Sequence, residues 1–112
     1  MMPERFLQVV KEQREFGDAL LKMREGSYAR EGDRLHNFKK AAALESKLPE
    51  LALSGMMAKQ IVALYDYLAD LDKGIDTPAE AWIEKITDSI NYLYLLRALL
   101  EDTGRISSPW KE

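Results

Sequence analysis

Apolar residues recur at helical spacing through four stretches of this chain, each bounded by proline or glycine, and that pattern leaves room for little but helices. In the last stretch, Ile83, Ile86, Ile90 and Leu93 form one stripe at 100° per residue. Thr77-Pro78-Ala79-Glu80 ahead of it has capping-box spacing, and Gly104 follows it, so a helix is predicted over 78–102. Its second half, YLYLLRALL, is apolar nearly all round and must be buried from several sides. A chain of 112 residues cannot easily do that alone, which predicts a homo-oligomer, most simply a two-fold dimer.

Three more helices precede it. Phe6, Val9, Val10, Phe16, Leu20, Leu21 and Met23 predict one over 4–24, with Gly26 as its stop and Gly17 as a weak point costing about 1 kcal/mol against alanine. Asp33 is a plausible N-cap for a short helix over 33–45 carrying Leu35, Phe38, Ala41, Ala42 and Leu44. Pro49 restarts the chain as a helix over 50–71, striped by Met57, Ile61, Leu64, Tyr65 and Leu68. Ser54 and Gly55 near its start would let another backbone come close. The tail, 103–112, reads as extended, with Trp110 able to dock on the body. The expected architecture is one all-α, four-helix bundle-like domain over 1–112.

Composition then narrows the chemistry. With no cysteine and a single histidine, His36, any metal would be a hard cation such as magnesium held by carboxylates. Residues 1–47 carry 10 Lys/Arg against 8 Asp/Glu, and residues 48–112 carry 6 against 11. No basic stripe of the kind that grips nucleic acid is present. No apolar run is longer than that at 92–96, which is far short of the roughly 20 residues of a membrane span. Charges stand where a signal peptide would be apolar, so a cytoplasmic protein is expected.

Three constellations could carry function. Glu84, Asp88 and Asn91 lie at i, i+4 and i+7 on the last helix, where oxygen ligands can converge on one hard cation. Lys59 and Asp66 share a face of the third helix with Asp70, suited to a phosphate and a cation. Arg34 and Asn37 lie among Arg30, His36, Lys39 and Lys40 around the start of the second helix, a setting for an anion. Each spacing also suits a solvated polar face. Glu12 and Glu15 form an E-x-x-E pair that is common on amphipathic helices. No nucleophile motif or glycine-rich phosphate loop is present, so metal-assisted attack by water is the one hydrolytic mechanism this inventory supports.

The stretches GDRLHNFKKAA, ALSGMMAKQIVALYD and EKITDSINYLYLLRALLED resemble a family of small phage and prophage proteins across roughly residues 27–102. That family in turn resembles the MazG-like all-α nucleotide pyrophosphatases, whose relatives include dimeric dUTPases and phage nucleotide-modification-associated domains. The resemblance implies an oligomeric helical bundle with magnesium on an E-x-x-E pair and an E-x-x-D pair. It also implies cleavage of nucleoside triphosphates between the α and β phosphates. Asp88 matches the aspartate of the second pair, but Glu84 lies four residues before it and Lys85 holds the expected glutamate position. The first pair has no match in the third helix, which offers Lys59 and Asp66 instead.

The implied roles are therefore Glu84, Asp88 and Asp66 for a magnesium ion, and Lys59, Arg34, Asn37 and Asn91 for a nucleotide. No residue is assigned to catalysis. Lys85 at a ligand position implies weaker divalent binding, or a site that holds phosphate directly. The competing expectation is a non-catalytic helical oligomer that acts as a phage or host protein-interaction module. The apolar last helix and the incomplete ligand set favour it.

Overall fold

The computed structural model describes residues 1–28 and 32–108. It holds four helices: α1 (Pro3–Tyr28), α2 (His36–Glu45), α3 (Pro49–Asp72) and α4 (Ala79–Asp102). No strand occurs among the described residues, so the chain is all-α. No helix among them is long and apolar enough to cross a membrane. Arg30 and Trp110 lie outside the described residues.

The helix ends depart from expectation in instructive ways. Gly26 does not stop α1, which runs on to Tyr28. Asp33 does not cap α2; its carboxylate instead accepts the Leu35 N–H (2.9 Å) in the turn that precedes the helix. Thr77 makes no capping bond, because Pro78 takes the N-cap position and its carbonyl accepts from Ala81 and Trp82. Pro49 does open α3 as expected, and Gly74 (φ 76°) closes it in the left-handed conformation that glycine adopts without strain.

The core sits where α2, α3 and the second half of α4 meet. Leu35, Phe38, Leu53 and Leu99 are buried together, with Met56, Met57, Leu95 and Leu96 packed around them. Each fully buried leucine contributes about 2 kcal/mol by removing apolar surface from water. Tyr67 and Trp82 meet edge to face, with ring centroids 5.3 Å apart, and join α3 to the first turns of α4. Beyond α4, Arg105 pairs with Glu50 at the start of α3. Gly55, expected to admit a backbone, has nothing against it; Ser54 bonds its own helix at Leu51.

α1 packs chiefly against α4, and the crossing point is Gly17, a buried residue of that helix. A Cβ there would stand 3.3 Å from Asn91 Oδ1, so the absent side chain lets α4's polar side chains approach. The residue that reads as a defect in an isolated helix is thus the docking point. Around it, Gln13 donates to Thr87 Oγ1 (2.7 Å), and Asn91 Nδ2 donates to the Gly17 carbonyl (3.4 Å).

The Ile83, Ile86, Ile90 and Leu93 stripe is not core. Ile83 and Leu93 are exposed and Ile86 and Ile90 half-buried, while Thr87, Asp88, Ser89 and Asn91 are buried. A compact monomer of this mass exposes about 6,300 Å² and has a radius of gyration near 13 Å. This chain exposes 8290 Å² and has a radius of gyration of 16.5 Å.

An ion cluster ties α2 to the end of α4. Lys39 Nζ lies 2.7 Å from Asp33 Oδ2 and 2.9 Å from Asp102 Oδ2. The Lys39 hydrogen bond, and then the Leu35 N–H, hold the Asp33 carboxyl below its usual range. Asp33 and then Asp102 hold the Lys39 ammonium above its own. The Asp33 contribution is present above its unfolded value, about pH 4, and is lost as pH falls through the lower folded value. The Lys39 contribution is present below its unfolded value, about pH 10.4, and is lost as pH rises through the raised folded value. Melting temperature should therefore fall more steeply below about pH 4 in the parent than in Lys39→Met. Equal slopes in a pH series of thermal melts would contradict this assignment.

Candidate functional site

A cleft of about 450 Å³ opens between the second half of α1, α2 and the middle of α4. Its floor is apolar: Leu21 from α1, Phe38, Ala41 and Leu44 from α2, Met56 from α3, and Leu95 from α4. Tyr92 adds an aromatic wall. The polar rim comes from three helices and one turn. Arg24 stands on α1, Arg34 in the turn before α2, Asn37 and Lys40 on α2, and Asp88 with Asn91 on α4.

The sequence explains the local arrangement. Arg34, Asn37, Ala41 and Leu44 recur every three or four residues, so they share one face of α2 and its preceding turn. Asp88, Asn91, Tyr92 and Leu95 do the same on α4. α1 brings Arg24 within reach because its contact with α4 passes through Gly17, two turns earlier. Arg24 then donates to Asp88 Oδ1 at 2.8 Å, with Asp88 almost wholly buried and Arg24 partly open to water. Asn91 Oδ1 is buried beside this pair and has no hydrogen-bond partner.

Of the residues singled out in the sequence, the structure brings Arg34, Asn37, Asp88 and Asn91 to this one cleft. It does not bring the others. Lys59 and Asp66 are exposed on α3 and line no part of the cleft. Glu84 is also exposed, and its nearest cation is Lys85 at 4.0 Å. The expected magnesium set of Glu84, Asp88 and Asp66 is therefore not assembled: one carboxylate is buried against an arginine, and two face water away from it. Among the described residues no three acidic or histidine groups stand together as metal ligands. Placed in this way, Glu84, Asp88 and Asp66 do not form one ligand set.

Two cationic participants, Arg24 and Lys40, stand in the cleft beyond the residues assigned from sequence. Lys40 was legible as part of the basic cluster at α2. Arg24 lies 64 residues from its partner Asp88, and nothing in the local sequence signals the pairing. Among the described residues the rim carries Arg24, Arg34 and Lys40 with the carboxylate of Asp88, and the formal charge of these four groups is positive. A positive rim over an apolar and aromatic floor can hold an anionic head joined to a flat or apolar body.

No family model, no curated protein and no solved structure matches this chain.

Proposed function

We propose that this protein binds a nucleotide, of the deoxynucleoside triphosphate class, in the cleft between α1, α2 and α4. The observation that carries the reading is the convergence of Arg24, Arg34 and Lys40 over a floor of Phe38, Leu44, Met56 and Tyr92. Guanidinium groups offer bidentate donors to phosphate oxygens, and Lys40 adds a mobile point charge. The base would lie on the apolar floor, with Asn37 and Asn91 as the polar groups that fix its orientation. A volume of about 450 Å³ is within the range of small-molecule sites.

The resemblance to MazG-like pyrophosphatases points to the same ligand class, and Lys85 at a ligand position agrees with phosphate held by cations of the protein. In this reading Asp88 orients Arg24 and leaves metal binding aside. Hydrolysis between the α and β phosphates remains the activity the resemblance implies, with any magnesium arriving on the nucleotide. The test is a thermal-shift panel of ribo- and deoxynucleotides, with and without magnesium, beside an assay for released pyrophosphate. A rise in melting temperature with nucleotide is expected, and Arg34→Ala/Lys40→Ala should abolish it. Unchanged melting across the panel would overturn the reading.

A second reading, a protein-interaction module, draws on a separate observation: the exposed apolar residues of α3, including Val62, Tyr65 and Leu68. Exposed faces of that kind mark contact surfaces.

A further inference from the structure

We propose that the open face of α1, together with the isoleucine stripe of α4, is closed by a second copy of this chain. From Met2, just before α1, the residues Met2, Phe6, Val9, Phe16, Leu20 and Met23, with Gln13 as the one polar member, follow spacings of four and three residues in strict alternation. That is a heptad seam three repeats long, the pattern with which one helix packs along another. α4 meets it only in part, at Gln13, which bonds Thr87. Gly17 and Arg24, which meet α4, lie on the flank of the seam, and Met2, Phe6, Val9, Phe16 and Met23 are exposed.

The seam continues into a groove of about 440 Å³ between α1 and α4. Val9 and Val10 form one wall, and Ile83, Ile86, Ile90 and Tyr94 the other. The groove holds Ile83, Ile86 and Ile90 of the α4 stripe that the periodicity marks for burial; Ile83 is exposed and the other two are only half-buried. Seam and groove share Val9 and Gln13, and Arg14, Thr87 and Asn91 are the other polar residues of the groove.

Two observations identify the occupant. The natural complement of an apolar heptad helix is another such helix, and every copy of the chain carries one. The area also fits. The chain exposes 8290 Å², about 2,000 Å² more than a compact monomer of its mass. An obligate homodimer removes about 1,000–2,500 Å² from each subunit, an area of the same order as this excess.

Sedimentation velocity on the whole chain at micromolar concentration should give twice its mass of 12.8 kDa. A monomer throughout would overturn the proposal and leave the face to a partner of another kind. Val9→Glu/Phe16→Glu should yield a monomer that keeps its helical circular dichroism, and a variant that stays dimeric would overturn it equally. Leu7→Glu removes an exposed apolar residue outside the seam and should remain a dimer. Its dissociation would show that association does not use this face. If the double variant fails to fold, Phe16→Cys supplies a second reading in a chain without other cysteines. Its thiol should react slowly with a maleimide at high protein concentration and quickly on dilution. Equal rates would count against the interface.

Discussion

Leu99→Ala is expected to lower the unfolding free energy by about 3 kcal/mol and to leave little folded protein at physiological temperature. Leu99 is fully buried among Leu35, Phe38 and Leu53, and it is the point where α4 meets both α2 and α3. Truncation removes the transfer energy of the missing carbons and leaves a cavity. The neighbours that could relax into it, Met56 and Met57, have unbranched side chains, which holds the cost at the middle of the usual range. The effect on stability is large because the fully covered core is small. Among the described apolar residues only Leu35, Phe38, Ala42, Ala52, Leu53 and Leu99 are buried. Urea denaturation checks this. A loss under about 1 kcal/mol would mean that the α2–α3–α4 junction is not the centre of stability.

The second large effect concerns the pair that joins α1 to α4, and it is asymmetric. Arg24→Met leaves the Asp88 carboxylate, 8% exposed, without the cation that balances it. A buried charge stripped of its partner costs about 2–3 kcal/mol. Asp88→Asn removes the charge from the buried end, and the Arg24 guanidinium, 37% exposed, keeps its access to water. Its cost should be about 1 kcal/mol or less. Denaturation midpoints of the two variants should therefore rank Asp88→Asn above Arg24→Met. The reverse order would show that α1 is held on α4 by something other than this contact. Both variants should also weaken nucleotide binding, Arg24→Met by loss of a donor and Asp88→Asn by loss of its orienter.

Helix existence was legible in the sequence and helix faces were not. The expected 50–71 and 78–102 agree with Pro49–Asp72 and Ala79–Asp102 within a residue, because long periodic runs between proline and glycine admit no other structure. The coverage of α4 came out otherwise. Its regular apolar stripe at Ile83, Ile86 and Ile90 reads as the core face, yet Asp88 and Asn91 are the more buried residues. Periodicity records that a face must be covered, without recording by what. Here α1 covers the polar side, because Gly17 allows a close approach and Gln13 and Arg24 satisfy Thr87 and Asp88.

The candidate site divides along the same line. Arg34, Asn37, Asp88 and Asn91 could be found from spacing within single helices, and the structure gathers them. Lys59, Asp66 and Glu84 have spacing as good, but they are exposed and line no part of the cleft. Arg24 could not be found at all, since its role depends on a crossing set by the tertiary structure.

The most direct trial is a titration of isotope-labelled protein with a deoxynucleoside triphosphate, followed by nuclear magnetic resonance. Saturable shifts should be confined to Arg24, Arg34, Asn37, Lys40, Asn91 and Tyr92. Shifts centred on Lys59 and Asp66, or none at saturating nucleotide, would contradict the assignment of this cleft.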